Sequence, residues 1–162
     1  MSARRQNQPL ASGSRAPDFR LPALEGGEAS LADLAAGGPV VLAFFKTSCP
    51  VCQFTLPILS RIHTPGTLPI YGISQNDAES TRDFLRQFGV AIPVLLDDED
   101  DGFLASNGFG ISTVPTLFLV ERDGAVARTI EGWSRKDIQW LAGRAGVNPF
   151  RAGEYVPEWK AG

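Results

Sequence analysis

Six consecutive apolar residues, Val40-Val41-Leu42-Ala43-Phe44-Phe45, run directly into Lys46-Thr47-Ser48-Cys49-Pro50-Val51-Cys52-Gln53. A run that is apolar at every position and follows Gly37-Gly38-Pro39 reads as a central strand buried on both faces, which requires a layer of structure on each side of its sheet. Beyond the cysteines, Phe54, Ile58 and Ile62 recur at a four-residue spacing with Leu59 beside them, so a helix opens where the strand ends. Pro57 is expected to kink that helix, because it removes one backbone donor and crowds the preceding turn. The chain's only two cysteines stand at this strand-to-helix junction, two residues apart. Thiols so placed can close a small disulfide, and a helix start can stabilise a thiolate. Thiol–disulfide exchange is the leading reading; a metal site, a peroxidase on the same scaffold and an inert buried pair are the alternatives.

The rest of the chain supplies the other layers. Residues 1–15 mix Ser, Gly, Asn, Gln, Pro and Arg and are expected to form a mobile leader. Asp18 to Leu31 suggests two short strands around Glu25-Gly26-Gly27, followed by one helical turn from Leu31 to Leu34. Leu68 to Ser74 reads as a second strand. Asn76 with Glu79 resembles a capping box for a helix carrying Phe84, Leu85 and Phe88 and ending at Gly89. Val94-Leu95-Leu96 is a third strand, and the acidic run Asp97-Asp98-Glu99-Asp100-Asp101 after it is expected to be a solvated loop. A short helix is expected from Phe103 to Asn107. Residues 116–120 and 125–130 flank Arg122-Asp123-Gly124, a hairpin signal. Ser134 and Asp137 then cap a helix carrying Ile138, Leu141, Ala142 and Ala145 up to Gly146. Residues 147–162 read as an extended tail on the surface. Strand, helix, strand, helix, strand, hairpin, helix is an α/β sandwich: a mixed central sheet flanked by helices, in one domain spanning residues 16–146.

Composition narrows the function. Of 162 residues, 15 are basic and 18 acidic, for a formal charge of −3, so neither a nucleic-acid surface nor a polybasic membrane patch is expected. Met1 to Leu10 carries charge without a following apolar core, and no segment approaches the ~20 apolar residues of a membrane span. A cytoplasmic setting is therefore expected, where a CxxC is catalytic or metal-binding rather than a structural staple. Two cysteines and His63 are too few for a closed soft-ligand zinc set, so no metal and no cofactor is expected. His63 reads as a helix-end residue.

Four features in order, Ala16-Pro17-Asp18-Phe19, Cys49-Pro50-Val51-Cys52, Gly72-Ile73-Ser74 and Thr113-Val114-Pro115-Thr116, make the chain resemble the thioredoxin-like superfamily. The resemblance lies in the branch of TlpA-like reductases and redoxins related to AhpC/TSA proteins, and spans residues 16 to 146. It implies a thioredoxin-like sandwich in which Cys49 is the nucleophile and Cys52 resolves a mixed disulfide. It further implies that Pro115 follows a cis bond and faces the cysteines, leaving the Val114 backbone to pair with an extended substrate. Pro50 and Val51, between the thiols, complete the expected substrate-facing surface. Lys46 is a candidate in its own right: three residues before Cys49, its ammonium would lower a neighbouring thiol pKa, whereas the plain reading is a solvated lysine at a strand end.

The sequence departs from that pattern in two ways. Ser48 stands where many thioredoxins place tryptophan, and no acid lies between residues 34 and 60 to serve Cys52, Thr55 occupying the helix position where TlpA-like reductases often carry glutamate. The peroxiredoxin pattern also fails: Leu42 and Lys46 stand where its proline and threonine are expected, and no arginine lies between Phe103 and Glu121. The expected activity is thiol–disulfide oxidoreduction on a disulfide-bearing protein or small molecule, coupled to a reductant thiol system. The weaker alternatives are a peroxiredoxin-like thiol peroxidase and a non-catalytic thiol redox sensor.

Overall fold

The computed structural model describes residues 8–162. Strand β3 is Val40–Phe45, and all six of its residues are buried. It pairs in parallel with β4 (Ile70–Ser74), which pairs in parallel with β5 (Val94–Leu96). On its other side β3 pairs antiparallel with β6 (Thr116–Val120), which forms the expected hairpin with β7 (Val126–Glu131). The sheet order is β5-β4-β3-β6-β7. A short hairpin of β1 (Arg20–Pro22) and β2 (Glu28–Ser30) and the capped turn α1 (Leu31–Ala35) precede it.

Alternation along β3 divides the interior in two. Val41, Ala43 and Phe45 meet α2 (Pro50–Ile62), α3 (Ala78–Phe88) and α5 (Arg135–Ala145) through Leu56, Leu59, Phe84 and Leu141. Val40, Leu42 and Phe44 face α1 and α4 (Leu104–Phe109) through Leu31 and Phe109, with Phe118 of β6 in the same cluster. This is the thioredoxin-like sandwich, a mixed sheet flanked by helices.

Several expectations change in detail. The α3 cap is Asp77, whose carboxylate accepts from Ser80 N, and not Asn76; Asn76 turns its side-chain oxygen the other way, to Thr47 N at 2.9 Å. The acidic run is not uniformly solvated. Asp97 is fully buried and accepts from Ala105 N, Ser106 N and Ser106 Oγ, supplying α4 with the anchor that its own cap position, Phe103, lacks. Asp98 caps the 3-10 turn Glu99–Asp101.

At the N-terminus, residues 1–7 of the expected leader lie outside the described residues. From Leu10 on, the leader is docked rather than loose: Leu10 N donates to Phe109 O, Gly13 N to Val126 O and Val126 N to Ser14 O, because the outer edge of β7 has backbone groups to satisfy. The tail after α5 is extended over the surface, and its end adds a two-residue ladder between β8 (Trp133–Ser134) and β9 (Trp159–Lys160).

Candidate active site

The β3–α2 junction determines where the thiols lie. Cys49 is the N-cap of α2 with extended backbone angles, φ −86° and ψ 115°, and Pro50 occupies the first turn, where its missing N–H costs nothing. The Cys52 N–H donates to Cys49 Sγ at 3.1 Å, so the sulfur takes the place a capping oxygen usually holds. Both cysteines are free thiols; Cys49 is half-buried and Cys52 fully buried. Burial pushes the Cys52 thiol well up, and its hydrogen bond to Cys49 adds to the rise, while a backbone hydrogen bond to Lys46 and the Lys46 charge pull it down. A neutral, buried second thiol beside a half-exposed first one is the asymmetry that an ordered two-step exchange requires.

The loop before β6 closes the site. The Val114–Pro115 bond is cis, and the Cys49 thiol donates to Val114 O at 3.4 Å. Val114 is half-buried, Pro115 buried, Val51 half-buried and Pro50 exposed, so Pro50, Val51 and Val114 form the accessible rim around Cys49. Thr116 Oγ1 fixes the loop by donating to Thr113 O at 2.7 Å. On the other flank, Gln53 donates to Thr47 O at 3.0 Å, tying the turn before Cys49 to α2.

Lys46 is exposed and lines a cleft of about 230 Å³ with Gln75, Phe103, Ser112, Thr113 and Val114. Its charge reaches Cys52 as well as the cleft, whereas the sequence argument paired it with Cys49. Gln75 donates to Ser106 Oγ, which donates to Asp97, so one cleft wall is a hydrogen-bonded chain rooted in a buried carboxylate. The Thr55 hydroxyl, one turn beyond Cys52, is the one buried side-chain polar atom without a hydrogen-bond partner among the described residues. His63 caps the far end of α2, and its Nδ1 accepts from Ile70 N at 2.9 Å, which commits that nitrogen to the fold.

Two contributors have no local sequence signal for their place at the site. Asp97 lies inside an acidic run, where a buried carboxylate has no local signature. Trp133 is fully buried, stacks edge-on against Phe54 of α2 with centroids 4.7 Å apart, and donates from Nε1 to Pro157 O at 2.7 Å. Its position beneath the active helix follows from the β7–α5 connection and not from spacing.

The geometry of a capping thiol, a buried partner thiol and a facing cis-proline loop coincides with what comparison finds. Residues 12–129 match the AhpC/TSA family. The chain belongs to the AhpC/TSA family. It is 32% identical over 137 residues to the thiol-disulfide oxidoreductase ResA of Geobacillus thermodenitrificans, covering 79% of this chain and 74% of that one. Among solved structures it superposes on the thioredoxin domain of a thiol-disulfide oxidoreductase from Bacteroides vulgatus with a TM-score of 0.72 at 24% identity, covering 86% of this chain and 99% of that one. It also superposes on the peroxidoxin BcpB of Mycobacterium tuberculosis with a TM-score of 0.68 at 21% identity, covering 85% and 97%. The fold is thus shared by disulfide and peroxide enzymes, and the sequence relationship separates them: this chain is a thioredoxin-like thiol–disulfide oxidoreductase.

Proposed function

We propose that Cys49 and Cys52 cycle between dithiol and disulfide on disulfide-bearing proteins or small molecules, with Cys49 as nucleophile and Cys52 as resolving thiol. The observation that carries the order is the unequal burial of the two sulfurs: only Cys49 is open to a substrate. Cys49 as thiolate attacks one substrate sulfur; the substrate S–S bond breaks, a Cys49–substrate disulfide forms, and the other substrate sulfur leaves as a thiolate and takes up a proton. Cys52 then loses its proton and attacks Cys49 Sγ, forming the Cys49–Cys52 disulfide and releasing the second substrate thiolate. Two electrons pass from the protein to the substrate, and a thiol reductant returns them by the same steps in reverse. Lys46 assists the second attack by its charge beside Cys52, and Pro50, Val51 and Val114 form the substrate rim.

Cys52→Ser tests the order of events. The variant should accumulate a mixed disulfide through Cys49, seen as a mass increase removed by dithiothreitol, while Cys49→Ser should form none; adducts on Cys52 in Cys49→Ser would overturn it. The reading includes a cytoplasmic setting, tested by fractionating cells that express the native gene; recovery of the protein outside the cytoplasm would overturn that part alone. The peroxidase reading draws no support from Leu42 and Lys46, which stand where a peroxide-binding proline and threonine would be needed.

A further inference from the structure

The end of the tail runs into the site. From Pro157, whose carbonyl holds buried Trp133 Nε1, the chain pairs antiparallel with β8 in the register Trp133 with Lys160 and Ser134 with Trp159. Arg135 N donates to Glu158 O at 2.9 Å, extending the same ladder. The chain then crosses Gly132, which has φ +68° and donates from its N–H to Pro115 O. A Cβ on Gly132 would come within 2.5 Å of Lys160 O and 2.9 Å of Gly162 N, so the crossing requires glycine there. Gly162 finishes against the loop that faces the thiol: a Cβ on it would lie 2.6 Å from Val114 O and 2.6 Å from Thr113 Oγ1. The Val114 carbonyl is therefore approached both by the Cys49 thiol and by the end of the tail.

We propose that Trp159–Gly162 is a built-in competitor for the extended-peptide seat beside Val114, so that a protein disulfide must displace it to reach Cys49 while a small disulfide need not. The inference rests on the reading of Cys49 and Val114 as the substrate site. The partner it concerns is an extended peptide chain, because the present occupant is one and holds its place by backbone pairing along β8. The segment is suited to leave: Trp159 is 65% exposed, Ala161 and Gly162 are exposed, and the ladder spans two residues. Its anchors at Pro157 and Glu158 lie upstream of the part that must move.

Two variants test this. A chain ending at Glu158 keeps the Pro157 carbonyl for Trp133 and the Glu158 contacts with Arg135, and full-length Lys160→Pro removes a donor opposite Trp133 without shortening the chain. Rates of reaction of the reduced protein are compared for a disulfide-linked peptide and for dithiobis-nitrobenzoate. Both variants should react with the peptide about three- to tenfold faster, the factor by which an occupied seat reduces the competent fraction, with the small reagent changed less than about twofold. An unchanged or lowered peptide rate in both variants, or an equal rise with both reagents, would overturn the proposal. If wild-type Cys49 reacts with neither reagent, the functional reading itself fails; if it reacts with both but the variants do not discriminate, only the tail proposal does.

Discussion

Cys49 and Cys52 are chemically identical side chains whose difference comes from one helical turn of depth. Burial holds the Cys52 proton above the thiol's ordinary value of about 9.0. The folded reduced protein therefore retains a proton that the unfolded chain releases, so this contribution to stability is fully present below about pH 9 and is lost as pH rises beyond it, at up to about 1.4 kcal/mol per pH unit. Urea midpoints of the reduced protein should fall with this slope above pH 9 and those of reduced Cys52→Ala should not; a parallel fall in both would assign the slope to other groups. Lys46 belongs to the same scale. Its ammonium favours the Cys52 thiolate from an exposed position, where water weakens the effect. Lys46→Met should therefore slow resolution of the Cys49 mixed disulfide by about two- to fivefold, read by quenched-flow mass analysis, with the first attack on a neutral disulfide less affected. Equal slowing of both steps would point to a general effect on the site.

At the scale of elements, one wall of the cleft beside Lys46 depends on a short helix that cannot hold itself. α4 has six residues and its cap position is Phe103, whose φ of +53° is unusual for a side chain of its size. Asp97 compensates with three accepted hydrogen bonds in full burial. Asp97→Ala leaves two backbone donors and the Ser106 hydroxyl proton without an acceptor and should destabilise the fold by about 2–4 kcal/mol, measured by urea denaturation. Because Gln75 reaches Asp97 through Ser106, the variant should also alter the cleft next to Lys46. A loss below about 0.5 kcal/mol would show that water replaces the carboxylate. The hairpin and the long helices were legible in the sequence since their signals are local: Gly124 in the turn, Gly89 and Gly146 at αL helix ends, Ser134 as a cap. Asn76 and Asp77 both suit a helix cap by residue type, and the Thr47 N–H takes the Asn76 side chain, leaving Asp77 to cap α3.

Over the described residues, the segments before β1 and after α5 are tied back to the sandwich at points far apart in sequence. Leu10 to Ala16 edges the hairpin, and Arg61 at the end of α2 grips the tail, donating to Glu154 from two nitrogens at 2.7 and 3.0 Å and to Pro149 O at 2.9 Å. That hydrogen bond from Arg61 holds the Glu154 carboxyl below its ordinary value, so its stabilising effect is present above about pH 4.5 and is lost as pH falls through the lowered value. Arg61→Met should lower stability by about 1 kcal/mol at pH 7 and by much less at strongly acidic pH, where Glu154 is neutral, both read from urea midpoints. A pH-independent difference would assign the loss to packing instead.

The sequence by itself determined the strand that carries the site, the helix that opens on Cys49, the hairpin after Pro115 and the placing of two thiols one helical turn apart, because periodicity, turn residues and a two-residue cysteine spacing act within a few residues of one another. Only the tertiary structure decided that Cys52 lies in full burial while Cys49 does not, that Asp97 leaves its acidic run to anchor α4, and that residues 159–162 return to the carbonyl that the Cys49 thiol contacts. Those outcomes depend on which backbone groups remain unsatisfied once the sheet has closed, and such vacancies are filled by segments dozens of residues away whose own sequence carries no sign of the destination.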